Sequence, residues 1–186
     1  HNGIIENYET LKQYLTDQGH VFTSDTDTEV LAHLIGHFYK GDIEASVRQA
    51  LKEVTGAYAI AAMCAKEPGV LIAARKGSPL MIGVGSNEYI VASDASAIVA
   101  HTNRAIELDD DTIARLTTEA FRTSDLENVT ITPQMRELEV DLEQIELGKY
   151  PHYMLKEIHE QPDAVRRCLK GRLAASEGRV VLGGLA

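Results

Sequence analysis

The chain has 186 residues, enough for one domain with a substantial core. Its formal charge of -10, from 18 basic against 28 acidic residues, argues against nucleic acid or an anionic membrane surface as a partner. Its 2 cysteines form no CxxC and give neither a zinc site nor a disulfide framework, which fits a reducing cytosol; no apolar run reaches membrane length.

The chain opens on His1-Asn2-Gly3-Ile4-Ile5, an Asn-Gly pair before an apolar dipeptide. One reading is a tight turn. The other is an anion cradle, in which the Asn2 side-chain amide and the Gly3 backbone N–H point at one developing oxyanion. A helix follows over 6–18, with Tyr8, Leu11, Tyr14 and Leu15 at helical spacing, and Gly19 ends it. Val21-Phe22-Thr23 reads as a short strand. A second helix runs over 27–40 with Val30, Leu31, Leu34, Ile35 and Phe38 inward. Thr26 and Glu29 fit a capping box at its start. Asp25 and Asp27 suit the positive end of the helix dipole. Asp27 also carries a functional reading, a carboxylate presented to a cationic substrate group.

A third helix spans 42–54, and Thr55-Gly56 breaks it. Strands are expected at 57–65, 70–74, 80–84 and 88–92, with turns at Pro68-Gly69 and Gly85-Ser86-Asn87. A short helix at 94–99 precedes strands at 104–108, 112–117 and 129–131. Asp109-Asp110-Asp111 reads as a solvated turn, and 137–147, alternating acidic and apolar residues, as an irregular linker. A final helix starts near Tyr153 and kinks before Pro162. The fold class is α+β, with no internal repeat.

The segment His1–Tyr8 taken with Ser24-Asp25-Thr26-Asp27-Thr28-Glu29 resembles the class II glutamine amidotransferases. Arg75-Lys76-Gly77-Ser78-Pro79-Leu80-Met81-Ile82-Gly83, Ala92-Ser93-Asp94 and the tail Tyr150–Pro162 narrow the resemblance to the glutamine–fructose-6-phosphate aminotransferases. It covers nearly the whole chain, with the motifs in the family's order. The resemblance implies an N-terminal-nucleophile hydrolase fold, a four-layer αββα sandwich, incomplete here at the N-terminus. Residues 1–148 would be the C-terminal portion of the amidotransferase domain, and 149–186 a linker toward a sugar isomerase domain.

The resemblance also implies roles. Asn2 and Gly3 form the oxyanion hole for glutamine hydrolysis, and Asp27 holds the glutamine α-ammonium. The ammonia released serves conversion of fructose 6-phosphate to glucosamine 6-phosphate. The implied partners are glutamine, the preceding segment and the sugar isomerase domain of the same polypeptide, and a second copy in a homodimer. No metal or cofactor is implied, and the location is cytoplasmic. The family's nucleophile is a first-residue cysteine whose own α-amine acts as base. Here the first residue is His1, and the cysteines are Cys64 and Cys168. The chain by itself is therefore expected to be inactive. The alternatives are a non-catalytic binding or docking fragment and amidophosphoribosyltransferase. The latter shares the Asn-Gly pair and the acidic helix start but not the Arg75–Gly83 segment or the tail. Asparagine synthetase and glutamate synthase fit less well for the same reason.

Other constellations carry less. Glu29, His33 and His37 recur at helical spacing but flank an apolar stripe with no fourth metal ligand. Gly83-Val84-Gly85 lacks the third glycine and following helix of a dinucleotide fingerprint. Lys76-Gly77-Ser78 lacks the upstream glycine of a phosphate loop. His152 and His159 are expected at the surface, Cys64 as an inert core thiol, and Cys168 beside Arg166 and Arg167 without a base.

Overall fold

Strand β1 (Asn2–Ile5) pairs antiparallel with β2 (Gly56–Met63), Asn2 opposite Ala59 and Gly3 opposite Tyr58. The chain between them forms three helices, each stopped or started by local chemistry. Helix α1 (Tyr8–Asp17) is followed by Gly19 at φ 89°, a left-handed conformation glycine adopts without steric cost. Helix α2 (Asp27–Phe38) is capped by the Thr26 hydroxyl, which accepts from the Glu29 N–H. Helix α3 (Ile43–Lys52) is capped by Asp42, whose carboxylate accepts from the Ala45 N–H. These features belong to a computed structural model, which describes residues 1–138, 147–170, 172–174 and 178–180. The chain divides into two units, 1–140 and 141–186.

In the first unit, β2 continues into β3 (Leu71–Lys76), and the sheet extends through β7 (Thr112–Leu116), β8 (Phe121–Asp125) and β9 (Thr130–Ile131) in the order β1-β2-β3-β7-β8-β9. A second sheet has the order β10-β6-β4-β5, from β4 (Met81–Val84), β5 (Tyr89–Ala92), β6 (Arg104–Glu107) and β10 (Met135–Glu137). Alternation along the strands sends side chains to opposite faces. Tyr58, Ile60, Ile72, Ala74 and Ile113 therefore meet Leu15, Val30, Leu34 and Val47 of the helices. Ala59, Ala73 and Ala114 face the other way, against Ile82 and Ile106 of the second sheet. Each fully buried Leu or Ile contributes about 1.5–3 kcal/mol of hydrophobic stabilisation. A fourth, thin layer is helix α4 (Ser96–Val99) on the outer face of the second sheet. Ile98 sits so close there that a Cβ on Gly83 would meet it at 2.5 Å, so close packing, not nucleotide binding, explains that glycine. The layer order is the αββα sandwich.

The second unit contains helix α5 (Tyr153–Leu169) and the short pair β11 (Leu173–Ala174) and β12 (Arg179–Val180). Helix α5 continues through Pro162 and gives up the hydrogen bond a proline nitrogen cannot make. Among the described residues no helix is long and apolar enough to cross a membrane.

Several expectations need correction. Residues 21–23 form no strand, because the Thr23 and Ser24 N–H groups donate to the Glu29 carboxylate at 2.8 and 2.7 Å instead of to a neighbouring strand. Strand β8 escapes the sequence because Phe121-Arg122-Thr123-Ser124-Asp125 is polar. Its register against both β7 and β9 overrides weak propensity. The acidic triplet at 109–111 is more than a solvated turn. Asp110 accepts from the Gly77 N–H at 2.9 Å, and Asp111 lies 3.2 Å from Lys76. The linker expected over 137–147 begins inside β10, and 139–146 lie outside the described residues.

A buried ionic knot ties α3 to the first sheet. Glu44 is 3% exposed and meets Arg48 and Arg122 at 2.7 Å each, with Arg115 at 3.7 Å. Arg48 in turn donates to the Asp125 carbonyl, the Ser124 hydroxyl and the Asn128 side chain. Burial of that carboxylate is offset only because guanidinium groups surround it.

Candidate active site

The site is built where β1 meets the start of α2. The Ile5 N–H donates to Asp27 Oδ2 at 2.9 Å, so the first residue of the helix is fastened to the strand carrying Asn2 and Gly3. The other carboxylate oxygen, Oδ1, faces the His1 ring at 3.7 Å and the Thr28 hydroxyl at 3.4 Å. The same His1 Nδ1 lies 2.9 Å from that Thr28 hydroxyl. The Asp27 side chain is 24% exposed, reachable yet shielded enough to strengthen an ion pair. Asp25, two residues earlier, is fully exposed, with Lys12 at 3.8 Å.

The loop before α2 is held by Glu29. Its carboxylate takes the Thr23 and Ser24 N–H groups and both their hydroxyls, at 2.6 to 2.9 Å. These hydrogen bonds, led by the Ser24 hydroxyl, hold its pKa down to about 2. In a capping box the carboxylate would return to the Thr26 N–H. Here that N–H goes to Ser24 Oγ, and Glu29 ties down the two residues ahead of it. Of the residues at that helical spacing, His33 lies 3.7 Å from Glu29 and 3.0 Å from His20, and His37 lies 3.2 Å from the Tyr14 hydroxyl.

Gly3 has φ 126° and stands opposite Tyr58. A Cβ at Gly3 would lie 2.2 Å from the Ala57 carbonyl oxygen, so no other residue fits without moving the strand pair. This is a strand glycine, not a turn glycine. Among the described residues the Asn2 side-chain amide has no hydrogen-bond partner, so both its donors are available. The structure thus brings Asn2, Gly3 and Asp27 together through β1.

Beside Gly3 stands a corner the sequence marked only by its motif. Arg75 and Lys76 end β3, Gly77 turns at φ 73°, and the Ser78 N–H returns to the Lys76 carbonyl at 2.9 Å. The Asp110 carboxylate accepts from the Gly77 N–H, and the Asp111 N–H donates to the Arg75 carbonyl at 2.8 Å. Arg75 also lies 3.1 Å from Glu107 and donates to the Leu108 carbonyl. Periodicity could not find this link between 75–78 and 107–111, since the partners are distant in sequence.

Cys64 is remote from this chemistry. It lies past the end of β2 beside Tyr39 and Glu67, and burial with hydrogen bonds to both pushes the Tyr39 hydroxyl up to about 12. Cys168 is exposed in α5, where Arg166 pairs with Asp163. His152 precedes α5, and His159 stacks on Tyr150 with ring centroids 5.4 Å apart.

The glutamine amidotransferase domain family matches residues 1–100. The chain is 49% identical over 189 residues to glutamine–fructose-6-phosphate aminotransferase [isomerizing] of Chlorobaculum tepidum, and 47% identical over 186 residues to that of Bacteroides thetaiotaomicron. The alignments take in 100% and 98% of this chain but only 31% and 30% of those proteins. Glutamine phosphoribosylpyrophosphate amidotransferase from B. subtilis, solved with ADP and GMP, superposes with a TM-score of 0.60 at 30% identity. That superposition covers 67% of this chain and 28% of the other. A match over more than half the chain, on a sandwich shared with a solved amidotransferase, shows that this chain belongs to the glutamine amidotransferase family.

Proposed function

We propose that this chain is the glutamine-handling part of an enzyme that makes glucosamine 6-phosphate from fructose 6-phosphate and glutamine. Asp27 Oδ1 receives the glutamine α-ammonium. The carboxamide carbon is attacked by a nucleophile, and the C=O electron pair moves onto oxygen. The Asn2 amide and the Gly3 N–H donate to that oxyanion. When the C=O re-forms, the C–N bond breaks and ammonia leaves once its nitrogen takes up a proton. The observation that supports this is the Ile5–Asp27 hydrogen bond, which ties the Asp27 carboxylate to the strand carrying Asn2 and Gly3.

Relatives of the same name, at 49% and 47% identity, favour this product over the phosphoribosyl reaction of the superposed enzyme, at 30%. The chain spans about three-tenths of the length of the curated relatives it matches, which supports a sugar isomerase domain elsewhere in the same polypeptide. In this reading 1–148 serve the amidotransferase and 149–186 lead toward that domain. A second copy is the expected partner in a homodimer, and the setting is the cytoplasm. Cys64 does not supply the nucleophile, so residues 1–186 alone are expected to release no ammonia from glutamine.

The test is Asn2→Ala in the polypeptide that carries this sequence together with its nucleophile. The expected result is a loss of about 10²–10³ in kcat for glutamine. Undiminished kcat would contradict the assignment.

A further inference from the structure

The Arg75–Gly83 segment is a motif the proposed chemistry leaves unused, and its Ser78 stands beside Gly3. A Cβ on Gly3 would lie 3.0 Å from Ser78 Oγ, so the hydroxyl stands against Gly3, next to the Ala57 carbonyl that fills the Cβ position itself. Ser78 is partly buried, and among the described residues its hydroxyl has no hydrogen-bond partner. Its backbone is fixed. Gly77 is tied to Asp110, Asp111 to Arg75 and Lys76, and Gly77 bridges to Tyr58, the residue opposite Gly3. Such a hydroxyl is a held donor with no acceptor among the described residues.

We infer that the Ser78 hydroxyl is a third donor to the oxyanion formed from the glutamine carboxamide, alongside Asn2 and Gly3. This rests on the glutamine reading of the site. A structural alternative, with Ser78 merely closing the corner, is served by its backbone N–H and needs no hydroxyl. An oxyanion donor acts when charge develops on the oxygen. Its removal lowers kcat and leaves KM nearly unchanged.

The experiment is glutamine-dependent turnover and melting temperature of the nucleophile-bearing polypeptide, for Ser78→Ala beside Asn2→Ala and Asp27→Asn. The expected result for Ser78→Ala is a fall of about 10²-fold in kcat, KM within about twofold and Tm unchanged. An unchanged kcat, a change confined to KM, or a kcat loss that tracks a loss of Tm overturns the inference. If Asn2→Ala and Asp27→Asn impair turnover while Ser78→Ala does not, only the Ser78 assignment falls. If all three are silent, the glutamine reading falls with it.

Discussion

Asp27 Oδ2 accepts the Ile5 backbone N–H at 2.9 Å, and this bond gives one carboxylate two tasks. One oxygen locks the start of α2 to β1. The other faces the His1 ring and the Thr28 hydroxyl, and in the proposed reading it takes the glutamine α-ammonium. A sequence reading of Asp27 as a helix-start residue captures only the dipole effect, about 0.3–1 kcal/mol.

The first prediction separates the two tasks by stability. Asp27→Ala removes the acceptor of the Ile5 N–H and should cost about 1.5–3 kcal/mol, the range for hydrogen bonds to charged groups. Asp27→Asn keeps an oxygen acceptor and should cost about 1 kcal/mol or less. Thermal melts check this, since 1 kcal/mol shifts Tm by about 2–4 °C at this chain length. Equal Tm losses for both would mean the Ile5 bond adds nothing.

The buried knot around Glu44 yields a second prediction. Glu44→Gln leaves Arg48, Arg115 and Arg122 without their shared carboxylate. Loss of one partner from a buried ion pair costs about 3–5 kcal/mol. Arg122→Gln removes a side chain that is 63% exposed and should cost no more than about 1 kcal/mol. Denaturant unfolding of the two variants measures the difference. A Glu44→Gln protein as stable as the parent would show that the knot is not holding α3 to the sheet.

A third prediction follows from Glu29. Its folded-state pKa, about 2, lies below its ordinary value of 4.5, so its contribution to stability is fully present above the ordinary value. That contribution is lost as pH falls through about 2. Carboxyl-carbon NMR of Glu29 should therefore show a titration midpoint near 2, with the Thr23 and Ser24 amide resonances moving over the same range. A midpoint at 4 or above would mean the four hydrogen bonds to this carboxylate do not form in solution.

Much of the helix layer was legible from sequence. Thr26 names the cap of α2, Gly19 names the end of α1, and the apolar stripes name the buried faces, while Asp42, read as the first residue of the third helix, caps it instead. The Gly85–Asn87 hairpin was equally plain. What escaped depends on partners far along the chain. Strand β8 is polar because Arg122 and Ser124 serve the Glu44 network, and only its neighbours make it a strand. The site shows the same division. The residue types at Asn2, Gly3 and Asp27 suggest their chemistry through family resemblance. The Ile5 bond that joins them, and the approach of Ser78 to Gly3, are facts of folding.

The most direct test of the central claim compares Asp27→Asn with Asp25→Asn in the nucleophile-bearing polypeptide. Both remove one negative charge near the start of α2, but only Asp27 is seated on β1. The measurement is kcat/KM for glutamine, with Tm recorded alongside. The expected result is a loss of at least tenfold for Asp27→Asn, with Asp25→Asn within about twofold of the parent, because a charge-assisted bond is roughly twice as strong as a neutral one. Equal, small changes in both would contradict the assignment of Asp27 to the glutamine α-ammonium.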